Sequence, residues 1–300
     1  MDKIDTGAFV NDTHIALGQE IVTSKDGNSW VKRVESKDTG FYGNERFSGV
    51  AYGKGTYVAV GTADGDDRKK PALITSKDKV TWKRQVVQTS ASLESVVFGK
   101  NIFVGVGNEG VVVTSLDGVK WKEHSIDKSI NLKKVVYAKG MFVAVGDNRK
   151  RLPTIRKEGS ITVGNSIEGD GVIFTSKDGY RWNKAYLNKG LDLRSIVFGN
   201  NEFIAVGDRG SILSSSDGID WKFMDLATRQ HFYDTLSDVA YGERHFIALG
   251  DFGKSLLISS NGADWVKTTI NGNGVDNIFG IYYGKDGFYI VGYGQILTSK

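Results

Sequence analysis

Seven glycines, Gly18, Gly61, Gly107, Gly146, Gly207, Gly250 and Gly292, each close a short β-branched and aromatic run, and the whole chain falls into copies of one unit around them. The stretch from Leu93 to Trp121 shows the unit most plainly. Leu93–Phe98 and Ile102–Val106 are strand-forming runs joined by a tight turn, Val111–Thr114 makes a third strand, and Trp121 opens a fourth. With these strands called A to D, one copy is a four-stranded antiparallel meander.

Counted back from each glycine, the A and B strands match without a gap, so Ile4, Phe47, Leu93, Leu132, Leu193, Leu236 and Ile278 share the first position of strand A. The serine before the C–D turn and the tryptophan after it recur as Ser24/Trp30, Ser76/Trp82, Ser115/Trp121, Ser176/Trp182, Ser215/Trp221 and Ser259/Trp265. A four-stranded unit with a period of about 43 residues predicts propeller blades, because one such sheet covers both its faces only when neighbours pack on each side. The expected fold is therefore an all-β, seven-bladed β-propeller of four-stranded antiparallel blades. It forms one domain over 1–300, with blades at about 1–34, 35–88, 89–127, 128–188, 189–227, 228–270 and 271–300. The seventh copy has no D strand, so a three-stranded last blade is expected, with closure carried by packing of the first blade on the seventh.

Composition narrows the function classes. Thirty-eight glycines and only two prolines, Pro71 and Pro153, fit an all-β chain dense in turns, and both prolines fall outside the repeat pattern. There is no cysteine, so no disulfide and no thiolate metal site is available. His14, His124, His231 and His245 sit at unlike places in their copies and read as structural residues. No cofactor and no metal is expected. No apolar run approaches the roughly 20 residues that span a bilayer, so membrane insertion is not expected. A formal charge of +4 is too small to imply nucleic acid. Phosphate loops, zinc motifs and nucleophile elbows are absent from the sequence.

The repeated pattern Thr-Ser-x-Asp-Gly-x-x-Trp, as in 23–30, 114–121 and 175–182, resembles the Asp-box, or BNR, repeat of sialidase-like propellers. It has one residue fewer between aspartate and tryptophan, and Lys79 and Asn261 replace the glycine and the aspartate in two copies. The resemblance implies a fold; its members include a photosystem assembly factor and xyloglucan-cleaving enzymes, so it is weak on activity. Sialidases also place three arginines on a carboxylate and carry an Arg-Ile-Pro signature. Here that signature is missing and only Arg46 and Arg194 stand near the channel mouth, which disfavours sialidase activity. The box aspartates read as turn formers, since an aspartate ahead of a glycine bonds the backbone two residues on.

Length varies on one face only. The A–B and C–D turns are constant, whereas insertions fall in the D–A crossings (Val34–Arg46, Ala227–Thr235) and the B–C turns (Thr62–Ala72, Asp147–Gly171). Variable loops on a rigid frame are where binding usually resides. The longest insertion should form a hairpin from Thr154–Arg156 and Ile161–Val163, presenting Arg149, Arg151 and Arg156, with Arg68 on the shorter one. Phe41, Tyr42, Phe232 and Tyr233 in the crossings offer aromatic faces for sugar rings or protein partners. The second position of strand A should ring the channel mouth: Asp5, Ser48, Glu94, Lys133, Arg194, Ser237 and Phe279.

The preferred reading is a non-catalytic module, expected to be monomeric, that binds a glycan or an anionic cell-surface polymer through the elaborated face at Phe41, Tyr42, Arg68, Arg149, Arg151, Arg156, Arg194, Phe232 and Tyr233. Two alternatives stand beside it. One is a glycoside hydrolase or lyase using Asp5, Glu94 and Asp238, which needs carboxylates about 5 to 9.5 Å apart and free of structural partners. The other is a protein-assembly scaffold. An extracellular or cell-surface location would follow if a signal has been removed.

Overall fold

In the computed structural model, described for residues 4–35, 45–64, 69–148, 150–151, 167–188, 190–225, 234–250, 253–270, 278–292 and 295–299, the chain is a seven-bladed β-propeller with almost no helix. Blades 1 to 6 are four-stranded antiparallel meanders and blade 7 has three strands. Blade 3 is typical, with strands Leu93–Gly99, Ile102–Gly107, Val111–Ser115 and Lys122–Ser125. Trp121 precedes its D strand instead of opening it, because its indole N–H donates back to the Gly118 carbonyl at 2.8 Å. Blade 2 shortens its predicted B–C insertion. Its B strand runs to Asp64 and its C strand starts at Lys69, so most of Thr62–Ala72 belongs to strands, while strands take only the two residues at each end of Val34–Arg46, whose middle lies outside the described residues. In blade 4 the insertion begins as a two-residue pair, Lys150–Arg151 with Ile167–Glu168; the hairpin expected from Thr154–Arg156 and Ile161–Val163 lies outside the described residues.

The core sits between blades as apolar layers, each built from facing strands of neighbouring sheets. Two repeated contacts set the spacing. Within each blade an A-strand aromatic packs on a B-strand ring, as in Phe98–Phe103 at 4.8 Å and Tyr137–Phe142 at 4.6 Å. Between blades, the ring of one A strand lies on the glycine ending the previous A strand. A Cβ on Gly53, Gly99, Gly199 or Gly242 would overlap Phe98, Tyr137, Tyr241 or Tyr283.

The C–D turns show why serine, aspartate and tryptophan recur. In blade 3 the Ser115 hydroxyl takes the Gly118 N–H at 2.9 Å, and one Asp117 carboxylate oxygen accepts the N–H groups of Val119 and Lys120, both at 2.8 Å. These bonds hold the Asp117 carboxyl below its ordinary range, and the same backbone donation brings Asp78 down to about 2. Asn261 does the same job in blade 6, accepting from Ala263 and Asp264 at 2.9 and 2.8 Å. Lys79 adopts the left-handed conformation that glycine adopts elsewhere, with φ of 68°, and its ammonium reaches Thr13 of blade 1 at 2.8 Å. Six turns already satisfied by their own backbone are scaffold.

Closure rests on an aromatic seam between blades 1 and 7. His14 stands where the other blades carry Tyr57, Phe103, Phe142, Phe203, Phe246 and Phe288. It is fully buried among Phe9, Trp30, Tyr282 and Tyr289, with ring centroids 4.3 Å from Tyr289 and 4.7 Å from Phe9. Its Nδ1 lies 3.2 Å from the Tyr282 hydroxyl and its Nε2 has no hydrogen-bond partner. Burial lowers its pKa from 6.5, against the pull of Asp286 and Asp26 and with a smaller push from Lys285.

Two outcomes follow. The folded pKa of His14 is depressed, so its contribution to stability is present above pH 6.5 and falls as the pH drops through that value. His14→Phe should therefore flatten the fall in melting temperature between about pH 7 and pH 5, measured by thermal denaturation. The turn carboxyls are depressed too, so their contribution persists above the ordinary 3.8 and is lost as the pH falls towards about 2 at Asp78. Asp117→Asn, which copies Asn261, should melt at pH 7 close to the parent chain, whereas Asp117→Ala should melt lower.

Candidate binding site at the channel mouth

Each blade carries one β-bulge at the same place, and it makes the site. In strand A of every blade the first residue pairs with the glycine ending strand B, the third pairs with the residue before that glycine, and the second is skipped. The skipped residues are Asp5, Ser48, Glu94, Lys133, Arg194, Ser237 and Phe279. A bulge frees its extra residue from the ladder and re-aims it. All seven line one cavity of 390 Å³ at the channel mouth, as the repeat alignment led us to expect.

The glycine and the bulge are one feature. A Cβ on Gly61, Gly107, Gly146 or Gly207 would overlap the backbone oxygen of Arg46, Ser92, Asn131 or Asp192, where the bulged strand presses close. The side chain at the glycine is forbidden by the same backbone path that delivers the neighbour's side chain to the mouth.

Around the mouth, polar contacts tie blade to blade. The Arg46 Nε lies 2.6 Å from the Asp5 carboxylate of blade 1. Burial raises the Asp5 pKa even beside that guanidinium. Ser48 donates to the Glu94 carbonyl at 2.8 Å, and the Val135 N–H donates to Ser95 Oγ at 3.3 Å. Lys133 pairs with buried Asp147 of its own blade at 2.6 Å and reaches Asp192 of blade 5 at 3.7 Å. Arg194 holds Asp208 at 2.7 Å. Asp238 accepts from Ser195 Oγ at 2.6 Å and from the Ile281 N–H of blade 7 at 3.0 Å. The Ser237 hydroxyl oxygen is shielded and has no hydrogen-bond partner, and Lys134 adds a further cation to the lining.

These contacts involve all three carboxylates named for the hydrolase alternative. Asp5 is neutralised by Arg46, the Glu94 carboxylate accepts from Ser92 and Asn108 at 3.2 and 3.3 Å, and Asp238 is a buried acceptor between blades. Each of the three therefore has a structural partner in the fold. Of the residues expected to bind ligand, Arg194 is at the mouth and Arg151 is in the short strand of blade 4. Phe41, Tyr42, Arg68, Arg149, Arg156, Phe232 and Tyr233 lie outside the described residues. Sequence reasoning missed Lys134, Thr6 and the bulge itself. The signal was a position that differs between copies while both its neighbours keep their character. Among the described residues, no group of three or more histidines or carboxylates converges as a metal site, and no helix is long and apolar enough to cross a membrane.

No family model and no curated protein matches the chain. Solved structures with the same fold include YCF48 bound to D1 peptide, at 17% identity and a TM-score of 0.67, covering 98% of this chain and 90% of that one. YCF48 from Cyanidioschyzon merolae matches at 18% identity and a TM-score of 0.64, covering 97% and 94%. A streptogramin B lyase matches at 10% identity and a TM-score of 0.72, covering 98% and 92%. At such identities the likeness is one of fold, and it sets this chain among the seven-bladed β-propellers.

If the glycine and the bulge are one feature, Gly107→Ala should cost about 3 kcal/mol in urea unfolding, at the upper end of an overpacked core. Ser48→Ala, at the bulge, should cost under about 1 kcal/mol.

Proposed function

We propose that this chain is a non-catalytic recognition module that holds a polymer chain at the channel mouth. One observation carries the reading: seven unlike bulge residues line a single cavity, while its three carboxylates are engaged in structural bonds. A site built for turnover would keep an acid and a base free. Lys134 places positive charge on blade 4 beside Lys133 and Arg194, whose own charges are shared with Asp147 and Asp208, and Phe279 adds a ring on blade 7. Cationic donors beside an aromatic surface suit an acidic glycan or another anionic cell-surface polymer. The serine–aspartate turns, read as a variant BNR repeat, fit a glycan-binding propeller without identifying the sugar. A peptide ligand is the second reading, favoured by the fold that this chain has in common with YCF48 in its D1 peptide complex.

The test is an array of acidic and neutral glycans beside extended peptides, probed with the parent chain and a Lys134→Ala/Arg194→Met variant at low and raised salt. Acidic glycans should bind in a salt-sensitive way, about tenfold more weakly in the variant, with no reducing ends released. Binding confined to peptides would move the conclusion to the second reading, and release of reducing ends would sink both.

A further inference from the structure

Strand A begins at the mouth, so the A–B and C–D turns lie at the opposite end of each blade and make the opposite face. Their lengths are constant, and that face varies only through its side chains. Two separate patterns in those side chains fall on the same blades.

The first is a series of lysines. Lys54, Lys100 and Lys139 occupy one position of the A–B turn in blades 2, 3 and 4, with φ of 48°, 47° and 50°. Each sends its ammonium group to the next blade and donates to the carbonyl just after the turn serine there: Leu116 at 3.1 Å, Lys177 at 3.0 Å and Ser216 at 2.8 Å. These acceptors are neutral. Among the described residues no carboxylate pairs with any of the three, and all three are exposed. An ammonium group has three N–H donors, so each keeps its charge and further donors for a ligand. Blades 5 and 6 have Asn200 and Glu243 at that position, and the series ends.

The second pattern is apolar. The residue two before each turn tryptophan is Val80, Val119, Tyr180 and Ile219 in blades 2 to 5, each 42 to 51% exposed, whereas blades 1 and 6 have Asn28 and Ala263. The turn does not ask for an apolar side chain there, since the position serves through its backbone N–H, as Asn28 and Val119 both do. Leu116, whose carbonyl takes Lys54, adds a fifth exposed side chain. Tyr180 is braced edge-on against His124 of blade 3, with ring centroids 5.3 Å apart. Lys120 and Arg181 directly follow Val119 and Tyr180 and add cations. Asp117 and Asp178 oppose them, each held by the backbone N–H groups of its own turn, and Asp220 beside Ile219 marks where the charge changes sign.

Residues at one position of a repeated blade stand at one level along the ring axis, so Val80, Val119, Tyr180 and Ile219 form a flat arc with the lysines beside it. The interface of an anionic bilayer is a flat partner that takes apolar tips and cations together. Aliphatic and aromatic side chains enter its headgroup boundary while ammonium groups meet its anionic headgroups. We propose that this chain docks on an anionic membrane surface through the turn face of blades 2 to 5, lying on the bilayer without crossing it. The mouth then faces away from the lipid, so the inference does not depend on what the mouth binds.

The test is co-sedimentation of the parent chain with vesicles of phosphatidylcholine, alone or mixed with phosphatidylserine, at low and raised salt. Binding is expected with the anionic vesicles only and should weaken as salt rises. Lys100→Gln/Lys139→Gln and Val119→Ser/Tyr180→Ser/Ile219→Ser should each weaken it about tenfold or more. Lys128→Gln, which removes the same charge from the mouth side, should leave it unchanged. The two multiple variants alter exposed side chains on different turns, so a folding defect in one leaves the other to be read. No binding to anionic vesicles, binding alike to both lipids, or binding that both variants retain overturns the proposal. So does loss in the lysine variant while the apolar variant binds as the parent does, because the face would then read charge alone, as a soluble polyanion offers it.

Discussion

The close approach of strand A to the glycine ending strand B is the constraint on which the rest depends. Where the backbones pass at Gly107 and Ser92 there is no room for a Cβ, and that closeness exists because Glu94 has been pushed out of the ladder. Seven repetitions of this geometry put seven expelled residues around one axis. The scaffold needs the glycine and leaves the expelled residue free, so one backbone event yields both the most constant and the most variable position of the repeat.

The polar ring that results has a second task. Among the described residues, contacts at or beside the mouth join blade 1 to 2 through Asp5 and Arg46, 2 to 3 through Ser48, 3 to 4 through Ser95, 4 to 5 through Lys133 and Asp192, and 5 to 6 and 6 to 7 through Asp238. The seventh junction is made differently, by Tyr282 and Tyr289 on His14. A ligand drawing on Arg46 or Lys133 competes with an interblade contact. Lys134 lines the same mouth without that conflict.

Most of the fold was legible in the sequence because its rules are local. Serine, aspartate and tryptophan satisfy a turn within seven residues, so each leaves a fixed spacing in the text. The bulge was not legible as a bulge. An extra residue present in all seven copies leaves no gap in an internal alignment, and only its variability betrayed it. The partners of the mouth residues were hidden for another reason. Asp147, Asp192 and Asp208 sit at strand ends or beyond, and only the curvature of the ring brings Asp192 towards Lys133 across a blade boundary. Candidate catalytic carboxylates could be picked from the sequence; whether they were free could not.

The seam at His14 and the packing of blade 7 on blade 6 bear on the same mechanical question. Among the described residues no strand passes between the first and last blades, and side-chain packing that is aromatic and buried joins them. Blade 7 meets blade 1 through Tyr282, Tyr289 and Val291 on one side, and blade 6 through Ile281, Phe288 and Leu297 on the other.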